Sequence, residues 1–324
     1  MTGLELCIQE LDNNGIAYKK DVCGADVTTI KAGGKIALGI YPSDIDELIT
    51  AARVAKKCGL KVLSIGRGSN TLFSDDGFCG TVIFTCKLNM TEHTEHIGNE
   101  GQLLRAYAGV PLTGLASYAA NDSLSGLEFA FGIPGSVGGA VYMNAGAYGG
   151  QISDVCIRSA YYDVDNDKTV VLEGAEQAFG YRKSAYSAQR VINDESQKII
   201  LYADFLLTHG DGETIRSIMM SNMASRREKQ PLEYPNAGST FKRYPGYYMG
   251  KIIEDLGLKG YTVGGARISE KHAGFIINNG NATARDIKEL IDYVSDRIHS
   301  AYGFIPECEI RIIDGDKKRK VDAK

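Results

Sequence analysis

The chain has 324 residues, of which 44% are hydrophobic and 23% charged, with 38 Gly, 7 Pro and a formal net charge of −4. That length supports two or three packed units with a real core, and excludes a peptide, a fibre or a disulfide-dependent mini-fold. The near-neutral charge, with basic residues massed only at the tail Lys317–Lys318–Arg319–Lys320, argues against a nucleic-acid binder and leaves that tail as a solvated end.

The seven cysteines contain no Cys-x-x-Cys pair, so the chain reads as a cytosolic protein with reduced thiols, without a disulfide framework or zinc ribbon. Its N-terminus has no basic residue ahead of the first apolar positions, and no apolar run reaches the roughly 18 residues of a membrane span. A cytoplasmic protein with no membrane insertion is expected.

In chain order, Leu4, Cys7, Ile8 and Leu11 share one helical face and predict an opening helix. Ser43 and Asp46 form a capping-box pattern before a helix with Leu48, Ile49, Ala52 and Ala55 toward a core. Strands follow at 61–65 and 81–85, giving an α/β texture. From about 100 to 210 the pattern turns β-rich, with strands at 155–164, 169–172 and 199–207. Ile215, Ile218, Met219 and Met223 mark a helix ending at Arg226 and Arg227, cations suited to the negative end of its dipole. Residues 231–246 read as a boundary loop. A helix at 248–256 and a strand at 273–278 follow, then a helix capped by Thr283 and Asp286 along Ile287, Leu290, Ile291, Val294 and Ile298, and a last strand at 309–313.

Five clusters carry chemical signals. Gly66-Arg67-Gly68-Ser69-Asn70 follows a strand, and its small residues let backbone N–H groups approach an anion. It is not a dinucleotide fingerprint, because Thr71 stands where the third glycine belongs. Residues 126–150, GLEFAFGIPGSVGGAVYMNAGAYGG, are too rich in glycine for an ordinary strand or helix and too apolar for a linker. Bare backbone stacked against a pyrophosphate and a flat ring would explain them, with polar contacts from Ser136, Asn144 and Tyr148. Tyr181-Arg182-Lys183-Ser184 offers a guanidinium for two-pronged carboxylate binding, or an ordinary surface arginine. Asn236-Ala237-Gly238-Ser239-Thr240 sets a serine in a tight turn, and in Cys308-Glu309-Ile310-Arg311 period 2 puts Glu307, Glu309 and Arg311 on one strand face, where a local salt bridge is the plain reading. His93 and His96 lack the Glu of a zincin, and no metal site is expected.

Taken together, IGRGSNTLFSDDGF at 65–78, GIPGSVGGAVYMNAGAYGG at 132–150, YRKS at 181–184, NAGSTFKR at 236–243, KGYTVGGARISEKHAGFIIN at 259–278 and CEIR at 308–311 resemble the UDP-N-acetylenolpyruvoylglucosamine reductase (MurB) family, in its shorter, type II-like form. The resemblance covers about Ile30 to Ile313. It implies an α+β protein with a vanillyl-alcohol-oxidase/PCMH-type FAD-binding fold of two subdomains, at 1–85 and 86–221. An α/β substrate domain at 222–300 and a C-terminal segment at 301–324 returning to the first subdomain would complete it.

The resemblance further implies non-covalent FAD held by Gly66, Arg67, Gly68, Ser69, Asn70 and Thr71 and by Gly132, Pro134, Gly135, Ser136, Gly138, Gly139, Asn144 and Gly146. NADPH would be the co-substrate, and UDP-N-acetylglucosamine enolpyruvate the substrate of a monomeric enzyme. Arg182, Ser239 and Glu309 match the family's catalytic residues, while Lys229 and Arg243 would contact the substrate diphosphate. Cys308 departs from a common proline, and Asp314 precedes Gly315 where glycine usually comes directly; both bear only on the path of the last strand. Two rivals stay open. One is a flavin oxidase of the same fold, and the other a nucleotide-binding module without turnover.

Overall fold

The computed structural model describes residues 1–97, 101–187 and 198–314, so the basic tail at 317–320 and Gly315 lie outside the described residues. The chain divides into two compact units: Met1–Tyr18, Ile40–Arg67 and Val82–Glu228 form the first, and Lys19–Gly39, Gly68–Thr81 and Lys229–Lys324 the second.

In the first unit the opening helix runs Gly3–Asn13, begun by a capping box between Thr2 and Glu5, and buries Cys7, Ile8 and Leu11. The second helix, Ile45–Lys57, is capped by Asp44 and not by Ser43. The Asp44 carboxylate takes the Glu47 N–H at 2.8 Å, while Glu47 reaches back to the Ser43 N–H at 2.7 Å, so the box is shifted one residue along.

The centre of this unit is an antiparallel sheet in the order Lys168–Glu173, Cys156–Asp163, Lys198–His209, Gly101–Tyr107, Thr91–Ile97. Its long strand alternates: Ala203, Phe205 and Leu207 enter a core with Leu104 and Ala106 from the neighbouring strand. Helices Leu112–Asn121, Val137–Met143 and Gly212–Lys229 close that core with Leu112, Leu115, Val137, Val141, Ile215 and Met219. Two of these helices are absent from the sequence reading, one of them inside the glycine tract. The third extends past the expected end at Arg227 to Lys229, and Ile218 is exposed on it.

The opposite sheet face carries Asp204, which is 0% exposed because two arginines cover it. Arg105 donates to both of its oxygens at 2.7 and 2.9 Å and stacks on Tyr202, while Arg158 donates from Nε to the second oxygen. One buried carboxylate thus ties three adjacent strands together.

The second unit has its own core around Ile30, Leu72, Ile276, Ile287, Leu290 and Val294. Helix Ala284–Tyr302 starts at the expected Thr283–Asp286 box. It gains a distant cap in Asp75, whose carboxylate accepts from the N–H groups of Ala284 and Arg285 at 2.8 and 2.9 Å. The strand expected at 273–278 is shorter, Ile276–Asn278, because a Ser269–His272 turn precedes it, and the helix expected at 248–256 runs Met249–Asp255. The last strand narrows to Arg311–Ile313, which pairs in parallel with Thr71–Phe73.

Replacing Asp204 by Ala strands two partly buried arginines, and a loss of about 3 kcal/mol is expected. Urea unfolding of wild type and Asp204→Ala checks this; equal midpoints would show that the arginines find water at no cost.

Candidate functional site

Each predicted cluster has a definite place. In the first unit the strand Val62–Ile65 delivers Gly66 directly against Ser136: a Cβ on Gly66 would overlap the Ser136 Oγ. Two segments far apart in sequence, both expected to hold the cofactor, therefore meet through bare backbone.

Ser136 is the N-cap of helix Val137–Met143, accepting from the Gly139 N–H at 3.5 Å. The same stretch runs alongside residues 108–112, with Val137 N–H on the Val110 carbonyl and Gly138 N–H on the Ala108 carbonyl, both at 2.9 Å. A side chain at Gly138 would press on Ala108 at 3.0 Å, which gives that glycine a packing reason. Among the described residues, a Cβ on Gly139 would meet only Ser136 Oγ, at 3.7 Å. Packing within the protein does not explain that glycine, whereas a flat group lying against the backbone would.

Helix Val137–Met143 ends at Asn144 in the left-handed region, φ 43°, a conformation asparagine tolerates. Its side chain is buried and bonded within the protein. Nδ2 reaches the Gly180 carbonyl at 3.0 Å and Gln151 Oε1 and Ser153 Oγ at 3.3 Å, and Oδ1 accepts from the Ser153 N–H at 2.9 Å.

Arg182 stands in a two-residue turn in which Gly180 and Lys183 exchange backbone hydrogen bonds of 2.9 and 3.1 Å. Its φ of 51° lies in the left-handed region, which costs an arginine about 1–2 kcal/mol. The guanidinium donates to the Asn144 carbonyl at 3.3 Å and the Gly146 carbonyl at 2.8 Å. Buried anchors hold the turn's far end. Ser184 Oγ donates to the Tyr142 carbonyl at 2.8 Å, and the Tyr186 hydroxyl meets Ser159 Oγ at 2.8 Å. Burial raises the Tyr186 pKa and pushes the neighbouring Cys156 thiol up to about 12, so both stay neutral anchors.

In the second unit Ser239 is exposed on a turn set by Gly238, φ 80°, whose N–H donates to Asn236 Oδ1 at 3.0 Å. Segments 240–242 and 307–309 run antiparallel: Glu309 N–H donates to the Thr240 carbonyl at 2.8 Å and Lys242 N–H to the Glu307 carbonyl at 2.9 Å. Ser239 and Glu309 are thereby brought to adjacent rungs. Glu307 pairs with Lys242 at 2.7 Å. Asn70 closes the group, its Nδ2 donating to the Glu309 carbonyl at 3.1 Å while its own carbonyl takes the Arg311 N–H at 3.0 Å. Gly68 packs on the Val27 carbonyl, with no room for a Cβ. Lys229 is exposed at the end of its helix, and Arg243 is exposed beside Tyr248, 5.2 Å from the ring centre.

Arg226, taken from the sequence as a helix-end cation, is instead 6% exposed. It lies against Gly132, 5.6 Å from the Tyr148 ring, and burial lowers its pKa. The signal available was its place seven residues after Met219 on the buried helical stripe. Among the described residues no group of three or more His, Cys, Asp or Glu could hold a metal, and no helix is long and apolar enough to cross a membrane.

Comparison with known proteins agrees with this layout. Residues 36–171 match the family described as FAD binding domain, and residues 230–313 match UDP-N-acetylenolpyruvoylglucosamine reductase, C-terminal domain. The UDP-N-acetylenolpyruvoylglucosamine reductase of Caldicellulosiruptor bescii is 43% identical over 305 residues, 94% of this chain and 93% of that protein. The enzyme of that name from Lachnoclostridium phytofermentans is 43% identical over 96% of this chain and 97% of its own. The crystal structure of the Thermus caldophilus reductase superposes with a TM-score of 0.74 at 30% identity, covering 92% of this chain and 99% of that one. The fold is accordingly the FAD-binding fold with a reductase C-terminal domain that the sequence led us to expect.

Gly66→Ala forces its new methyl into Ser136, an overpacking cost of about 1–3 kcal/mol. A lowered melting temperature, restored in large part by adding Ser136→Gly, is expected in thermal unfolding; independent effects of the two changes would refute the contact.

Proposed function

The chain belongs to the UDP-N-acetylenolpyruvoylglucosamine reductase family, and from that premise we propose that it reduces the enolpyruvyl group of UDP-N-acetylglucosamine enolpyruvate to give UDP-N-acetylmuramate, a peptidoglycan precursor. NADPH is the reductant in this reading, FAD is bound without a covalent link, and the enzyme works in the cytoplasm as a monomer. Residues 1–85 and 86–221 serve the flavin and 222–300 the sugar nucleotide, with 301–324 completing the first subdomain. The observation that supports the proposal is the backbone pairing of Thr240 with Glu309, which joins the segments that carry Ser239 and Glu309, with Asn70 fastened to the Glu309 carbonyl.

FAD, when bound, would supply the hydride chemistry that links NADPH oxidation to reduction of the enolpyruvyl ether at its methylene carbon. The residues suited to hold it are the Gly66–Thr71 turn and Gly132, Pro134, Gly135, Ser136, Gly138, Gly139 and Gly146, where the open space over Gly139 fits a flat group. The chain's own side chains handle the charge and the proton. Hydride addition puts a second negative charge on the substrate carboxylate as an enolate. Arg182, directed by two carbonyls, stabilises those oxygens through its guanidinium charge. Glu309 in its protonated form donates a hydrogen bond to the same enolate. Ser239 then passes its Oγ proton to the carbon next to the carboxylate. A hydroxyl is a weak acid, but the carbanionic carbon is a much stronger base, so the transfer runs downhill. Lys229 and Arg243, both exposed cations, engage the substrate diphosphate.

Stopped-flow separation of the two half-reactions tests these roles. Ser239→Ala is expected to leave flavin reduction by NADPH nearly intact and to slow flavin reoxidation by the enolpyruvyl substrate at least about a hundredfold. Arg182→Lys keeps the charge but not the planar fork, and should be severely impaired in the same half-reaction. Equal losses in both halves, or wild-type reoxidation in either variant, would remove these residues from the chemistry.

A further inference from the structure

We propose that Asn144 is the positioning residue of Arg182, fixing the direction of its guanidinium before any substrate arrives. The inference rests on the catalytic reading of Arg182 given above.

Arg182 occupies the second central position of a two-residue turn at φ 51°, where glycine or asparagine would sit without strain. An arginine stays there only if its surroundings hold the turn closed. The Gly180 carbonyl accepts twice, from Lys183 N–H at 3.1 Å and from Asn144 Nδ2 at 3.0 Å. The second bond comes from outside the turn and fastens it to the end of helix Val137–Met143.

The return contact comes from the same residue. The Arg182 guanidinium donates through Nη1 to the Asn144 carbonyl at 3.3 Å, and through Nη2 to the Gly146 carbonyl at 2.8 Å. A closed circuit results: Asn144 side chain to Gly180 carbonyl, through the turn to the Arg182 guanidinium, and back to the Asn144 carbonyl. Neither half is adjustable. Asn144 Oδ1 is pinned by the Ser153 N–H at 2.9 Å, which fixes which face of the amide turns to Gly180. Its backbone is fixed in the left-handed cap, so the carbonyl direction is set with the helix end.

Two consequences distinguish this from an ordinary helix cap. The conformational freedom of a long side chain is lost on folding and not on substrate binding, which is what preorganisation of a charge-stabilising group requires. The Asn144 amide also bonds to protein through both its nitrogen and its oxygen, as a residue acting through Arg182 would.

The test uses the holoenzyme and Asn144→Gly, since glycine accepts the left-handed backbone and keeps the carbonyl while removing the side-chain clamp. Flavin reoxidation by enolpyruvyl substrate is expected to fall roughly ten- to a hundredfold more than flavin reduction by NADPH. The Lys183 amide should exchange hydrogen faster than in wild type. In a double-mutant cycle with Arg182→Lys the losses should be far from additive, because both act on one group. Asn144→Asp, which tolerates the same backbone and lacks the donor, should behave alike and serves if the glycine variant is poorly folded. Equal loss in both half-reactions with release of flavin, additive losses with Arg182→Lys, or unchanged Lys183 exchange would each overturn the proposal. If the wild-type enzyme itself fails to be reoxidised by the enolpyruvyl substrate, the reductase reading falls, while Lys183 exchange still decides whether Asn144 holds the turn.

Discussion

Backbone can lie against backbone, or against a flat ligand, only where the side chain stops at hydrogen, and the first unit is organised by that constraint. Gly66 meets the Ser136 side chain and Gly150 the Phe129 ring at spacings that leave no room for a methyl group, and a methyl at Gly138 would press on Ala108. Glycine in the short helix Val137–Met143 carries an entropic cost of up to about 1 kcal/mol per residue. That cost is offset by what close approach allows: a compact scaffold whose free carbonyls at Asn144 and Gly146 can direct a guanidinium. Gly139 extends the same logic outward, since the space above it is left by the protein.

The chemistry is assigned to two different kinds of support. Arg182 is held by a strained turn, buried hydrogen bonds and neutral, high-pKa neighbours, an environment that resists motion. Ser239 and Glu309 come from short, irregular segments joined by backbone pairing, with Asn70 fastening Glu309 to the strand Thr71–Phe73. In the proposed mechanism charge stabilisation demands fixed geometry and a proton donor needs an accessible hydroxyl, and the surroundings of Arg182 and Ser239 are compatible with those roles. The buried Asp204 on the far face of the first unit's sheet serves none of this directly, but it joins the strand that carries Ser159, partner of Tyr186, to its neighbours.

What the sequence disclosed was whatever is encoded locally. The Thr283–Asp286 box and the apolar period through Ile298 marked a helix within a residue of its observed start, because cap and stripe are short-range. The box at Ser43 was displaced to Asp44 because either residue fits the same motif and only the backbone decides. Long-range pairing was invisible. Nothing in NAGST or CEIR states that Thr240 accepts a hydrogen bond from Glu309, or that Asp75 caps a helix beginning at Ala284. Residue type also misled where burial reverses meaning. Arg226 has the composition of a helix-end cation and lies buried against Gly132. The motifs marked the segments, but which residues support one another came only with tertiary contacts.

The central claim is that one enzyme both accepts electrons from NADPH and delivers them to an enolpyruvyl ether. The most direct measurement is anaerobic: reduce the purified protein with NADPH until the flavin absorbance is bleached, then add UDP-N-acetylglucosamine enolpyruvate. The account predicts return of the oxidised flavin spectrum with stoichiometric formation of the lactyl ether. A flavin that stays reduced until air is admitted would contradict it and would identify oxygen, not the sugar nucleotide, as the acceptor.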